Sequence, residues 1–157
     1  MTYQVQLTEL ASATASHLRV HTSTAKIGDA VGQGFKELYE FAARSGAVPT
    51  GPPQLAYPGE FEPYGEVDLD LYLPISRTPA ANGDVDVVEL PGGPAAQAFH
   101  RGGHEDISAA YEAVFEWIHE HGRHQAGPPR ELYLNGPNDT SSPADYLTEV
   151  VVPLRRS

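Results

Sequence analysis

The chain has 157 residues, 40% of them hydrophobic, and sets ten Lys and Arg against 21 Asp and Glu for a formal charge of −11. That length suits one domain or two fused half-domains with a sizeable core, and the charge speaks against nucleic acid, whose phosphates are bound through Lys and Arg. Cysteine is absent, which excludes disulfides, thiolate metal sites and a thiol nucleophile.

The amino-terminal segment is polar and alternating, unlike a signal peptide, and no run approaches the roughly 18 apolar residues of a spanning helix. A cytoplasmic protein without membrane contact is expected. In chain order the first half reads strand, strand, helix, strand, strand. Its helix is marked by Val31, Phe35, Leu38 and Phe41 or Ala42 at helical spacing, with Gly32 and Gly34 weakening the first turn. Gly46 stands where a left-handed residue stops a helix, and Gly51-Pro52-Pro53 restarts an extended chain. Val67, Leu69, Leu71, Leu73 and Ile75 then alternate with Asp68, Asp70, Tyr72 and Pro74, the pattern of a strand with one apolar face. Residues 77–84 read as a linker containing a turn at 82–84.

The second half repeats the first. At a constant offset Phe35 falls on Tyr111, Gly46 on Gly122, Gly51-Pro52-Pro53 on Gly127-Pro128-Pro129 and Tyr57 on Tyr133. Ile107, Tyr111, Val114 and Ile118 give the second helix its apolar stripe. In the last strand Thr148, Val150, Val152 and Leu154 face that helix, while Leu147, Glu149, Val151 and Pro153 face away. The expected fold is α+β: one domain over 1–157 with two pseudo-symmetric strand-helix-strand-strand modules, at about 1–76 and 84–154. Its mostly antiparallel sheet is expected to carry a ligand groove between the halves. Asp70 and Glu149 fall on the same, helix-distal side. The plainer alternative is that acids on a wet sheet face are simply solvated.

The stretch from Tyr111 to Tyr133, with Trp117 and its Gly-Pro-Pro, and the ending from Asn135 to Leu154, with Thr148-Glu149-Val150 and Pro153, resemble the GyrI-like (gyrase-inhibitor-like) effector-binding domain family. The resemblance covers nearly the whole chain. It implies binding of hydrophobic, planar or cationic organic molecules, with Glu149 matching the family's groove glutamate. Some members of that family are fused behind DNA-binding domains of transcription regulators, and a subset resembles hydrolases that open cyclopropane-bearing alkylating compounds. Members commonly carry His-x-Gly-Pro-Tyr before the second helix; here the stretch is His100-Arg101-Gly102-Gly103-His104, so the Pro and the Tyr are replaced.

Candidate ligand-binding residues are Glu149, Tyr133, Tyr57, Asp70, Tyr72, Phe99 and His104. A desolvated carboxylate seeks a counter-charge, and tyrosines beside it add cation–π contacts of about 0.5–2 kcal/mol. Trp117 is assigned to the core. As an enzyme, the chain would use Glu149 in acid–base chemistry with a Tyr such as Tyr133. As a protein-interaction module, it would use its groove or acidic surface. No cofactor or metal is expected: of His119, His121 and His124 at the end of the second helix, His119 and His121 are two apart and do not share a helix face, His100 and His104 flank two glycines, and Gly92-Gly93-Pro94 lacks the spacing and lysine of a phosphate loop. The partner expected is a small molecule, and the oligomeric state is left open.

Overall fold

A computed structural model describes residues 3–58, 65–136 and 139–156. Its elements run β1 (Gln6–Leu10), β2 (Ala13–Ser23), α1 (Ile27–Ser45), β3 (Gln54–Ala56), β4 (Glu66–Pro74), β5 (Asp86–Leu90), β6 (Gly93–Arg101), α2 (Ser108–Glu120), β7 (Arg130–Asn135) and β8 (Leu147–Pro153). The chain forms two compact units, Ser12–Pro91 and Met1–Ala11 with Gly92–Ser157.

In the first unit the strands run β5-β2-β4-β3, each neighbour antiparallel, and α1 packs on β2 and β4. The alternation of β4 buries Leu69, Leu71 and Leu73, and α1, which packs on β4, buries Leu38 and Phe41. Burying each such side chain contributes about 1.5–3 kcal/mol. Helix α1 starts a turn before the apolar stripe and keeps Gly34 inside it, because a Cβ there would overlap Leu71 Cδ1. Gly46 ends the helix at φ +70°, the left-handed conformation its position implies.

The second unit has the order β1-β6-β8-β7, again antiparallel between neighbours, with α2 over β6 and β8. Ala96, Ala98, Val150 and Val152 meet Ala110, Val114 and Ile118 in its core, and Trp117 packs at the margin. Small alanines on β6 let α2 come close. Local hydrogen bonds recur between the halves: Thr50 N donates to Pro74 O at 3.0 Å and Ala126 N to Pro153 O at 2.8 Å.

The compact units differ from the sequence repeat by one strand. β1, which opens the first half, pairs with β6, so that Leu7 lies opposite Ala96. β5, which opens the second half, pairs with β2, so that Val88 lies opposite Ala15. The link Ala11-Ser12 lacks the Asn or Gly that a two-residue hairpin favours, and β1 runs on instead to the other half's strands. The predicted turn at 82–84 is present: Asn82 and Val85 exchange backbone bonds around Gly83 at φ +62°.

Candidate functional site

Asp70 on β4 and Glu149 on β8 each stand on the sheet face away from the helix of their own unit, since their neighbours Leu69, Leu71, Thr148 and Val150 are the buried, inward residues. Their surroundings are opposite in kind.

Asp70 is 5% exposed and sits opposite Arg19 on β2. Arg19 Nε and Nη2 donate to its two oxygens at 2.8 Å each, and His17 Nε2 lies 2.7 Å from Oδ1. His17 Nδ1 lies 2.7 Å from Asp86 Oδ1 on β5, so the imidazole bridges two carboxylates, and the ring of Tyr72 packs on it at 5.0 Å. Burial pushes the Asp70 carboxyl up, but the hydrogen bonds and charges of Arg19 and His17 more than offset it and hold it below the ordinary value.

Glu149 is half-buried and lies opposite Phe99 on β6 and Leu132 on β7. The Gln97 side-chain amide donates to its Oε2 at 2.6 Å. Among the described residues no Lys, Arg or His pairs with it. Burial raises its pKa above the ordinary value, and the Gln97 hydrogen bond offsets only part of that. By register, Phe99 takes the place beside Glu149 that Arg19 takes beside Asp70. Phe99 is 43% exposed, so an aromatic face borders the carboxylate.

A third cluster occupies the helix side of β7 and β8. Tyr133 lies opposite Thr148, and so on the other face of the sheet from Glu149. The hydroxyls of Tyr133 and Tyr111 donate to Glu131 at 2.8 and 2.6 Å, and Glu131 is buried. The ring of His104 lies 5.3 Å from Tyr133 and 5.4 Å from Tyr146. His104 Nε2 and Thr148 Oγ1 are buried without a hydrogen-bond partner among the described residues. His100 Nε2 donates to Gly103 O at 2.8 Å, which leaves Nδ1 to accept from the Tyr3 hydroxyl at 2.8 Å.

Of the candidates read from sequence, the structure brings Phe99 together with Glu149, Tyr72 with Asp70 through His17, and Tyr133 with His104. It does not bring Tyr133 to Glu149, because β7 meets β8 with Leu132, not Tyr133, across from the carboxylate. Tyr57 follows the end of β3 and is half-buried. Sequence reading passed over Arg19, His17 and Gln97. The alternation of His17, Arg19 and His21 along β2 was the available signal, for each meets an acid across the sheet.

Each of the two α+β units carries one carboxylate on the sheet face away from its helix, Asp70 paired and Glu149 bordered by Phe99 and Leu132. Residues 4–155 match the family model described as GyrI-like small molecule binding domain, and the chain belongs to that family. A search of curated proteins finds no match. Among similar solved structures is the EcmrR C-terminal domain, at 20% identity, TM-score 0.84 and full coverage of both chains. The longer EcmrR chain of a complex with DNA is spanned over 58% of its length. A hydrolase encoded by lin2189 from Listeria innocua is 12% identical at TM-score 0.74, covering 97% of this chain and 92% of that one. SAV2435 bound to tetraphenylphosphonium is 19% identical at TM-score 0.60, covering 99% and 94%. At these identities the likeness is one of fold. No helix among the described residues is long and apolar enough to cross a membrane.

Proposed function

We propose that this chain binds small hydrophobic, planar or cationic organic molecules, as an effector- or drug-sensing or sequestering domain, and that Glu149 is the polar anchor of the site. The observation that carries this is the lack of a counter-charge at Glu149 among the described residues. A half-buried carboxylate without a cation is costly, and its counterpart by register, Asp70, has the Arg19 guanidinium and the His17 imidazole against it. A lipophilic cation would supply at Glu149 what Arg19 supplies at Asp70. Phe99 and Leu132 would give such a ligand apolar contact, with a cation–π contribution of about 0.5–1 kcal/mol from the exposed ring. SAV2435, whose fold is similar, binds tetraphenylphosphonium, a cation of this kind. In this reading Asp70, Tyr72 and Tyr133 belong to the frame.

A second reading rests on the same residue. A carboxyl held above its ordinary pKa serves as general acid or base, and one similar structure is a hydrolase. Glu149 would then assist the addition of water to a strained, cyclopropane-type ring.

One experiment tests both. Wild type and Glu149→Gln are titrated by calorimetry with tetraphenylphosphonium, a neutral planar aromatic and a cyclopropane-bearing alkylating compound, and each ligand is recovered for mass spectrometry. Binding predicts cation affinity about tenfold weaker in the variant, roughly 1.4 kcal/mol, with neutral ligands unchanged and every ligand intact. Recovery of a ligand with one water added, from wild type only, establishes the hydrolase. Equal cation affinity in the two proteins removes Glu149 as anchor.

A further inference from the structure

Helix α2 lies over β6 and β8 and leaves much of the helix-side face of β1 open. Leu7 stands on that face, opposite Ala96, and is 51% exposed. Between this end of the chain and the outer side of α2 runs a groove of about 460 Å³. Tyr3, Val5, Ala109, Ala113 and Trp117 form its apolar part, and Glu112, Glu116 and Glu120 line it along α2, one turn apart.

Within the described residues nothing answers that row of charges: none of the three glutamates is in an ion pair. Like charges four residues apart weaken a helix, so the row works against the stability of α2. The matching positions of α1 are Lys36, Glu40 and Arg44, a mixed and self-compensating set. Trp117 matches Phe41, which is fully buried, yet Trp117 is only half-buried and reaches the groove. Both departures of α2 from its repeat counterpart, in charge and in the aromatic, fall on one surface.

We propose that this groove docks a basic amphipathic helix of a partner protein. The helix lies along α2, with Lys or Arg side chains one turn apart facing Glu112, Glu116 and Glu120, and with apolar side chains on Val5 and Trp117 and, outside the groove's own lining, on the exposed Leu7. Charge complementarity selects the occupant. Nucleic acid is repelled by the glutamates, and a free polyamine has nothing to lay on Leu7 and Val5. The surface is independent of Glu149, which lies on the other face of the sheet.

The test uses the full chain and synthetic peptides of about 18 residues, five helical turns. One carries Leu along one face and Lys at four-residue intervals beside it. The second has every Lys replaced by Glu, and the third is a scramble of the first without helical periodicity. Trp117, the single tryptophan, reports binding by fluorescence. The expected result is saturable binding of the first peptide only, at least tenfold weaker to Leu7→Gln and to Glu112→Lys/Glu116→Lys/Glu120→Lys. The triple variant is expected to take up the Glu peptide instead, a gain that misfolding cannot produce. Three results overturn the proposal: no saturable binding, equal binding of the scramble, or displacement of the Lys peptide by spermidine with Leu7→Gln behaving as wild type.

Discussion

Arg19 and His17 surround Asp70 with three hydrogen bonds, so folding favours its ionised form. A carboxyl whose pKa falls on folding contributes stability that is present above its ordinary value near 3.8 and is lost as pH falls through the folded value. Asp70→Asn leaves Arg19 and His17 facing an amide. It should lower stability by about 1–3 kcal/mol, read from urea denaturation at neutral pH, with the gap from wild type closing in acid. Glu149 has the opposite sign. Its raised pKa makes ionisation a cost to the fold that is absent below the ordinary value near 4.5 and grows as pH rises through the folded value. Glu149→Gln should therefore match or exceed wild type in stability at neutral pH while losing cation affinity. Wild-type affinity for tetraphenylphosphonium, whose charge does not titrate, should fall as pH is lowered through the raised Glu149 pKa. A pH-independent affinity would separate the cation from this carboxylate. Alternation along β4 and β8 made the kinship of Asp70 and Glu149 legible in the sequence. It could not say that Arg19 meets one and Phe99 the other, because that depends on the register of strands far apart in the chain. The same gap placed Tyr133 beside Glu149 in the sequence reading, whereas the register of β7 turns it to the helix side.

Helix α1 shows how two glycines with the same propensity differ by surroundings. A Cβ at Gly32 would meet nothing within 4 Å, whereas one at Gly34 would overlap Leu71, a fully buried side chain. Gly32→Ala should stabilise by about 0.5–1 kcal/mol through helix propensity alone. Gly34→Ala gains the same term but overpacks the interface with β4, at about 1–3 kcal/mol, and should be the less stable of the pair. Denaturant midpoints of the two variants check this; equal gains would mean that α1 and β4 part easily at this point. The apolar stripe of α1 was readable from its period, and its end from Gly46. The early start at Ile27 was not, since Gly32 and Gly34 read as weakening the first turn until their neighbours are known.

The doubled pattern of Gly, Pro and aromatic residues reads as a repeat, but such a pattern does not say which strand closes which sheet. Sequence symmetry suggests that each half completes itself, and the chain instead trades β1 for β5. Each compact unit therefore contains strands from both sides of the 77–84 linker. Cleavage within that linker after folding should leave two fragments that co-elute under native conditions and separate only in denaturant. Fragments that part in native buffer would show that the exchanged edge strands hold weakly. During synthesis the exchange has a temporal side. β1 emerges before its partner strand, so Leu7 has no Ala96 to meet until β6 has been made, a wait of roughly 5–20 s at ordinary translation rates. Ser12–Pro91 needs nothing beyond β5, so β1, made before every strand of that unit, belongs to the unit that finishes later.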